Sequence, residues 1–151
     1  MIHTILVIDD CTLDNAILRN ILSNEYYNTI SALNGRDALD LVESRNVDVI
    51  LLDMSMPIMD GPGFLQEFKK TVYYKTIPII IVTSTDKTGI IEETAKEYDI
   101  FDYILKPFDK IKNLESVNYL IFVNKIRSAL RYRMAIKSLA ELRNTDGTDG
   151  H

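Results

Sequence analysis

Three aspartates stand directly behind apolar runs in this 151-residue chain: Asp9 and Asp10 after Thr4 to Ile8, and Asp53 after the run that starts at Val47. A further apolar run, Ile77 to Val82, ends in Thr83, and the strand-like stretch Phe101 to Leu105 ends in Lys106. If these ends are neighbours, three carboxylates within about 5 Å repel one another by roughly 3 kcal/mol per pair at an effective dielectric of 20. A divalent cation offsets that repulsion, and hard oxygen donors favour magnesium over zinc. Lys106 brings a second, movable positive charge. A carboxylate beside a metal, an ammonium and a hydroxyl is equipped to attack a phosphoryl group. The cations neutralise the equatorial oxygens, Asp53 is the nucleophile, and the product is an aspartyl phosphate.

The elements that hold these residues follow from periodicity. Strands are expected at Thr4 to Ile8, Tyr26 to Ser31, Val47 to Leu52, Ile77 to Val82 and Phe101 to Leu105, and several are apolar on both faces, as buried parallel strands are. Between them lie helical patterns at Thr12 to Leu22 with Thr12 as N-cap, Ala38 to Arg45, Pro62 to Val72 and Lys87 to Glu97. Asn34-Gly35 and MPIMDG, residues 56–61, are turns. Five alternating units predict an α/β fold, a five-stranded parallel sheet with helices on both faces and right-handed crossovers. Asp9, Asp10, Asp53, Thr83 and Lys106 then share the carboxyl edge of the sheet, where open α/β folds keep their ligand sites.

Composition excludes several alternatives. The single cysteine, Cys11, permits no internal disulfide and fits a reducing cytoplasm. It follows the acidic pair, where negative charge disfavours a thiolate, so it reads as a packing residue. His3 and His151 stand near the ends of the chain, and no Cys/His cluster has zinc-ligand spacing. No apolar run reaches the length of a membrane span. No glycine-rich phosphate loop follows the first strand, which weakens nucleotide-binding readings. Residues 1–123 carry a net charge of −8 and residues 124–143 carry +5. With no base-reading motif beside it, the basic stretch reads as a solvated helix face, and direct nucleic-acid binding by this chain is not expected.

The acidic pair Asp9-Asp10, the DxxMPxMDG stretch from Asp53 to Gly61, Thr83, and Tyr103-x-x-Lys106-Pro107 carry a resemblance. Over about residues 3–108 and the start of the last helix, the chain resembles the receiver (CheY-like) domain of bacterial two-component response regulators. The resemblance implies the flavodoxin-like strand order 2-1-3-4-5. It further implies that Asp53 accepts a phosphoryl group from a histidine kinase or phosphotransfer protein, and that Asp9, Asp10, Asp53 and the Ser55 carbonyl bind Mg2+, Asp9 mostly through water. Lys106 is expected to pair with the phosphoryl oxygens, next to a cis bond to Pro107. Thr83 is expected to hydrogen-bond the phosphoryl group and draw in its loop, letting Tyr103 turn from an exposed to a buried rotamer. Ser55 and Thr85 occupy positions that tune dephosphorylation in the family.

Some positions depart from the family pattern. Asp99-Ile100 stands where Gly-Ala is usual before the fifth strand, Ser84 replaces an alanine, and the link Asp109 to Asn118 is long. A haloacid-dehalogenase-like phosphatase also uses a strand-end aspartate with magnesium, but needs a second Asp two residues on, where this chain has Ser55. A flavodoxin-type flavin module is disfavoured because the first loop, DDCTLDN, puts carboxylates where a phosphate would sit.

Three regions are expected: a receiver core at 1–118, an extended last helix at 119–143, and a disordered tail at 144–151. On the helix, Leu120, Val123, Ile126 and Leu130 form a stripe expected to pack on the sheet. Tyr132, Ala135, Leu139 and Leu142 continue on a displaced stripe with 3-4-3 spacing, flanked by Arg131, Arg133, Lys137 and Arg143, which resembles a short coiled-coil seam. A homodimer through residues 128–142 is the corresponding expectation.

Overall fold

A computed structural model of the chain describes residues 1–84 and 87–149, with only the backbone described for Lys110 and residues 146–149. Strands β1 (Thr4–Ile8), β2 (Asn28–Ala32), β3 (Val49–Asp53), β4 (Ile79–Ser84) and β5 (Asp102–Lys106) form one parallel sheet in the order β2-β1-β3-β4-β5. The helices are α1 (Thr12–Asn24), α2 (Gly35–Ser44), α3 (Gly61–Phe68), α4 (Gly89–Glu97) and α5 (Val117–Asp149). The architecture is the flavodoxin-like receiver fold expected from the sequence.

Strand alternation splits the core into two layers. Ile5, Val7, Val49, Leu51, Ile80 and Val82 point to one face, where Leu18, Ile21 and Leu22 of α1 and Phe122, Val123 and Ile126 of α5 cover them. Leu6, Ile8, Ile50, Leu52, Ile79 and Ile81 point to the other, against Ala38 and Val42 of α2 and Phe64, Leu65 and Phe68 of α3. The central strands β1 and β3 are therefore buried on both faces, which explains their unbroken apolar runs.

Several boundaries differ from the sequence reading for local reasons. Thr12 is the first helical residue of α1, and Cys11 takes the capping position without a side-chain hydrogen bond. β2 starts at Asn28, because Tyr26 turns left-handed at φ 64° and the amides of Tyr26 and Tyr27 bond back to Ser23 and Leu22, closing α1. Asn34 caps α2 by accepting from the Asp37 amide, and Asp60 caps α3 by accepting from Gly63. α3 ends at Phe68, four residues before Val72, because the Phe68 carbonyl is taken by the Thr71 amide at 2.9 Å and the Thr71 hydroxyl at 2.8 Å. β4 pairing begins at Ile79, since the Ile77 amide bonds to Tyr73 and Pro78 has no amide to donate.

α5 differs most. A 3₁₀ turn at Phe108–Lys110 follows β5, the Ser116 hydroxyl accepts from the Tyr119 amide, and the helix then runs 33 residues to Asp149. At 1.5 Å per residue that is about 50 Å. Its first half belongs to the core: Tyr119, Phe122, Val123, Ile126, Ala129 and Leu130 are buried, so the boundary drawn at residue 118 cuts through a packed element. Leu120, assigned to the inward stripe, is exposed, because the packed face runs through residues 119, 122, 126 and 129. The helix continues through residues 144–149, where a disordered tail was expected, with the Thr145 hydroxyl bonding to the Glu141 carbonyl; Gly150 and His151 lie outside the described residues. Among the described residues, no helix is long and apolar enough to cross a membrane.

Candidate functional site

The carboxyl edge of the sheet gathers the acidic groups. Asp53 is the last residue of β3, in register with Val82 of β4, and Asp9 follows β1 directly. Asp9 is fixed by its own loop: its amide bonds to the Ala32 carbonyl, its carboxylate accepts from the Cys11 amide at 2.9 Å, and the Asn15 amide group donates to its carbonyl at 2.7 Å. One carboxylate oxygen each from Asp9, Asp10 and Asp53 lies within 4.8 Å of the others. Asp9 and Asp53 are buried and Asp10 is exposed. Ser55 is exposed, and its amide reaches an Asp53 oxygen at 3.5 Å. These are all hard oxygen donors beside a loop that leaves the sheet, a donor set that suits a magnesium-sized cation.

Lys106, at the end of β5, is the positive charge within this cluster. Its Nζ lies 2.8 Å from Asp9, 2.8 Å from Asp14 and 3.7 Å from Asp53. The Lys106–Pro107 bond is cis. Asp14 was not singled out from the sequence. It lies in the first turn of α1, and only the fold aims that turn at β5. A helix-period reading that asked which polar residues face the loop of Asp9 could have found it.

Burial, and then the neighbouring Asp9 charge, push the Asp53 carboxyl up to about 6, against an opposing pull from Lys106. Burial alone would lower Lys106, but the hydrogen bonds it donates to Asp14 and Asp9, with the nearby Asp9 and Asp53 charges, outweigh it and hold the ammonium above its ordinary value. The two groups describe one arrangement: an anion short of compensation and a cation over-supplied with it.

The loop after Asp53 is tightly built. A Cβ on Gly61 would stand 2.6 Å from both the Met54 Cα and its sulfur, and 2.9 Å from the Asp53 carbonyl oxygen, so glycine is required for α3 to start against the strand end. Ile58 lies at φ 67°, with the Met59 amide bonded to the Pro57 carbonyl across it at 2.7 Å. A left-handed β-branched residue costs about 1–2 kcal/mol, and the side chain is exposed, so no packing offsets the strain. Ile58→Gly is expected to stabilise the protein by about 0.5–1 kcal/mol once the greater freedom of unfolded glycine is deducted. Urea unfolding at neutral pH measures this, and a loss of stability would contradict the strain.

Thr83, second from the end of β4, is buried, whereas Tyr103 on β5 is 41% exposed. Tyr103 is held outward by Lys125 of α5, whose ammonium sits 4.5 Å from the ring centroid, donates to the Tyr103 carbonyl and pairs with Asp102 at 3.2 Å. Lys125 is a second residue that sequence reasoning passed over, since it read only as part of a basic helix face. Cys11 is partly buried, and Thr85 lies outside the described residues. At Asp99-Ile100, where Gly-Ala is usual in the family, the Asp99 amide donates to the Tyr74 hydroxyl at 2.7 Å, and the Phe101 amide donates to the Ile79 carbonyl.

Comparison with known proteins agrees with this geometry. Residues 5–118 match the family model described as the response regulator receiver domain. The chain is 33% identical over 138 residues to sporulation initiation phosphotransferase F of Bacillus subtilis (strain 168), covering 91% of this chain and 98% of that protein. It is 30% identical to the response regulator PleD of Caulobacter vibrioides, covering 91% of this chain but 28% of that longer protein. The structure of the chemotaxis response regulator CheY4 of Vibrio cholerae superposes with a TM-score of 0.69 at 24% identity, covering 86% of this chain and all of that one, which supports the fold. With its acidic edge, strand order and family match in hand, the chain belongs to the response regulator receiver domain family, a signalling domain of two-component systems.

Proposed function

We propose that this chain receives a phosphoryl group on Asp53 from a histidine kinase or phosphotransfer protein, and passes the event on as a change of shape. The observation that carries the reading is the buried Asp53 carboxylate at the sheet edge, grouped with Asp9, Asp10 and the ammonium of Lys106. An Asp53 oxygen forms a bond to phosphorus while the bond from phosphorus to the donor histidine nitrogen breaks, its electron pair leaving with the imidazole. Receiver domains bind Mg2+ at such an acidic pocket; Asp9, Asp10, Asp53 and the Ser55 carbonyl would hold the ion here, and it would neutralise charge on the phosphoryl oxygens. Lys106, at the end of β5 on the same sheet edge, would pair with those oxygens once they are in place, and the Asp53 carboxylate must be free of its proton to attack. Among its relatives, one named as a phosphotransferase, 98% of whose length the chain covers, favours a relay over hydrolysis of a small substrate. The reading places the protein in the cytoplasm. Incubation with acetyl phosphate and magnesium, followed by intact mass, should show one added phosphate.

The switch would run through Thr83 and Tyr103. A phosphoryl oxygen offers the buried Thr83 hydroxyl an acceptor, the loop after β4 draws in, and the Tyr103 ring exchanges its place over Lys125 for an inward one.

The projecting half of α5 supports a homodimer through residues 128–142. Tyr132, Leu139 and Leu142 are 43%, 53% and 61% exposed and Ala135 joins them on one stripe, while Arg133 turns inward instead, to the Thr76 carbonyl at 3.0 Å and Asp48 at 3.7 Å. Leu139→Lys should reduce a sedimenting dimer to monomer and leave the melting temperature unchanged at protein concentrations low enough for the wild type to be monomeric too. A wild-type monomer at high micromolar concentration rejects the seam.

A further inference from the structure

We infer that Asp14 is a clamp on Lys106, holding its ammonium away from the phosphoryl position in the resting protein, so that phosphorylation of Asp53 must win Lys106 from Asp14. The inference rests on the reading of Asp53 as phosphoacceptor and concerns a residue that reading does not use. Lys106 has three N–H donors. Two of its carboxylate neighbours stand at 2.8 Å, on Asp9 and Asp14, and Asp53 is the distant one at 3.7 Å.

The two close partners are unlike. Asp9 belongs to the acidic group that a divalent cation would share, so a bound cation draws it away from the lysine. Asp14 is not in that group, and among the described residues its ion pair runs to Lys106. It stands in the first turn of α1, where the helix dipole favours a negative charge. Asp14 is therefore the partner that stays on Lys106 after the cation arrives. When the phosphoryl group joins Asp53, its oxygens and Asp14 compete for the same ammonium, and Asp14 adds repulsion of its own toward the new dianion.

Removing the Asp14 charge should therefore favour the phosphorylated state. Charge-assisted hydrogen bonds at a partly exposed site predict a rise of about three- to ten-fold in the initial rate of adduct formation. Wild type, Asp14→Asn, Asp14→Ala and Asp14→Glu are compared at saturating magnesium and limiting acetyl phosphate by intact mass, each alone and combined with Lys106→Ala. Both neutral variants should be faster, Asp14→Glu should return toward wild type, and the gain should vanish when Lys106 is absent. A slower Asp14→Asn protein overturns the clamp, because Asp14 would then be aiming Lys106 at the phosphoryl group. A gain that persists without Lys106 also overturns it, leaving only general repulsion. Equal rates in wild type and both neutral variants overturn the clamp while leaving the reading of Asp53 intact. The absence of any adduct on the wild type overturns that reading and the clamp together.

Discussion

Asp53→Asn is expected to abolish the phosphate adduct and, in the absence of magnesium, to make the protein more stable. The carboxamide matches the carboxylate in shape, so β3 and its packing survive, but it is too weak a nucleophile to take phosphorus. The stability gain follows from burial. With its carboxyl pushed up to about 6 from 3.8, Asp53 is easier to protonate in the folded chain than in the unfolded one. Folding then loses free energy as pH rises from about 4 to about 6, and the loss is complete above that, amounting to about 1–3 kcal/mol. Asn carries no charge to desolvate, so the variant should match wild type near pH 4 and exceed it by that amount at neutral pH. Paired urea titrations at pH 4 and pH 7 measure the difference. A retained adduct would remove Asp53 from the mechanism, and a neutral-pH destabilisation would contradict the electrostatic reading of the cluster.

Magnesium should produce the second large effect, stabilising the wild type with a pH dependence of its own. The cation relieves repulsion among Asp9, Asp10 and Asp53, and at a hundredfold excess over its dissociation constant linkage gives about 2.7 kcal/mol. For a chain of this length that raises the melting temperature by roughly 5–10 °C. Protons compete for the same oxygens. Below the Asp53 value of about 6 the apparent dissociation constant should rise about tenfold for each pH unit, so the same magnesium concentration gives about half the stabilisation at pH 5. In Asp53→Asn one of the carboxylate donors is lost, and the magnesium shift should shrink at every pH. A melting temperature indifferent to saturating magnesium at pH 7.5 would contradict a metal site in this cluster.

The layout of the fold and most of the cluster at the sheet edge are written into the order of residues along the chain. Strands buried on both faces need unbroken apolar runs, and a polar residue that ends such a run must emerge where the backbone leaves the core; Asp9, Asp53 and Thr83 lie at such ends, and Lys106 ends the half-exposed edge strand β5 on the same side. Local chemistry also marked the turn at Gly61, whose missing Cβ is demanded by Met54 and Asp53. Tertiary structure alone decided which partners those groups meet. Asp14 sits on α1 and Lys106 on β5, far apart in the chain, and no local period records that they come within 2.8 Å. Likewise Lys125 looked like one charge of a basic helix until the fold set it over the Tyr103 ring. The inward face of α5 was misjudged at Leu120 for the same reason: a helix with apolar residues on several sides carries no single stripe, and it is Tyr119 and Phe122 that the fold buries, in one cluster with Ile104, Val82 and Leu51. Periodicity encodes which residues can be buried. Contact with the sheet and the neighbouring helices selects among them, because packing and charge pairing depend on positions that are distant in sequence and adjacent in space.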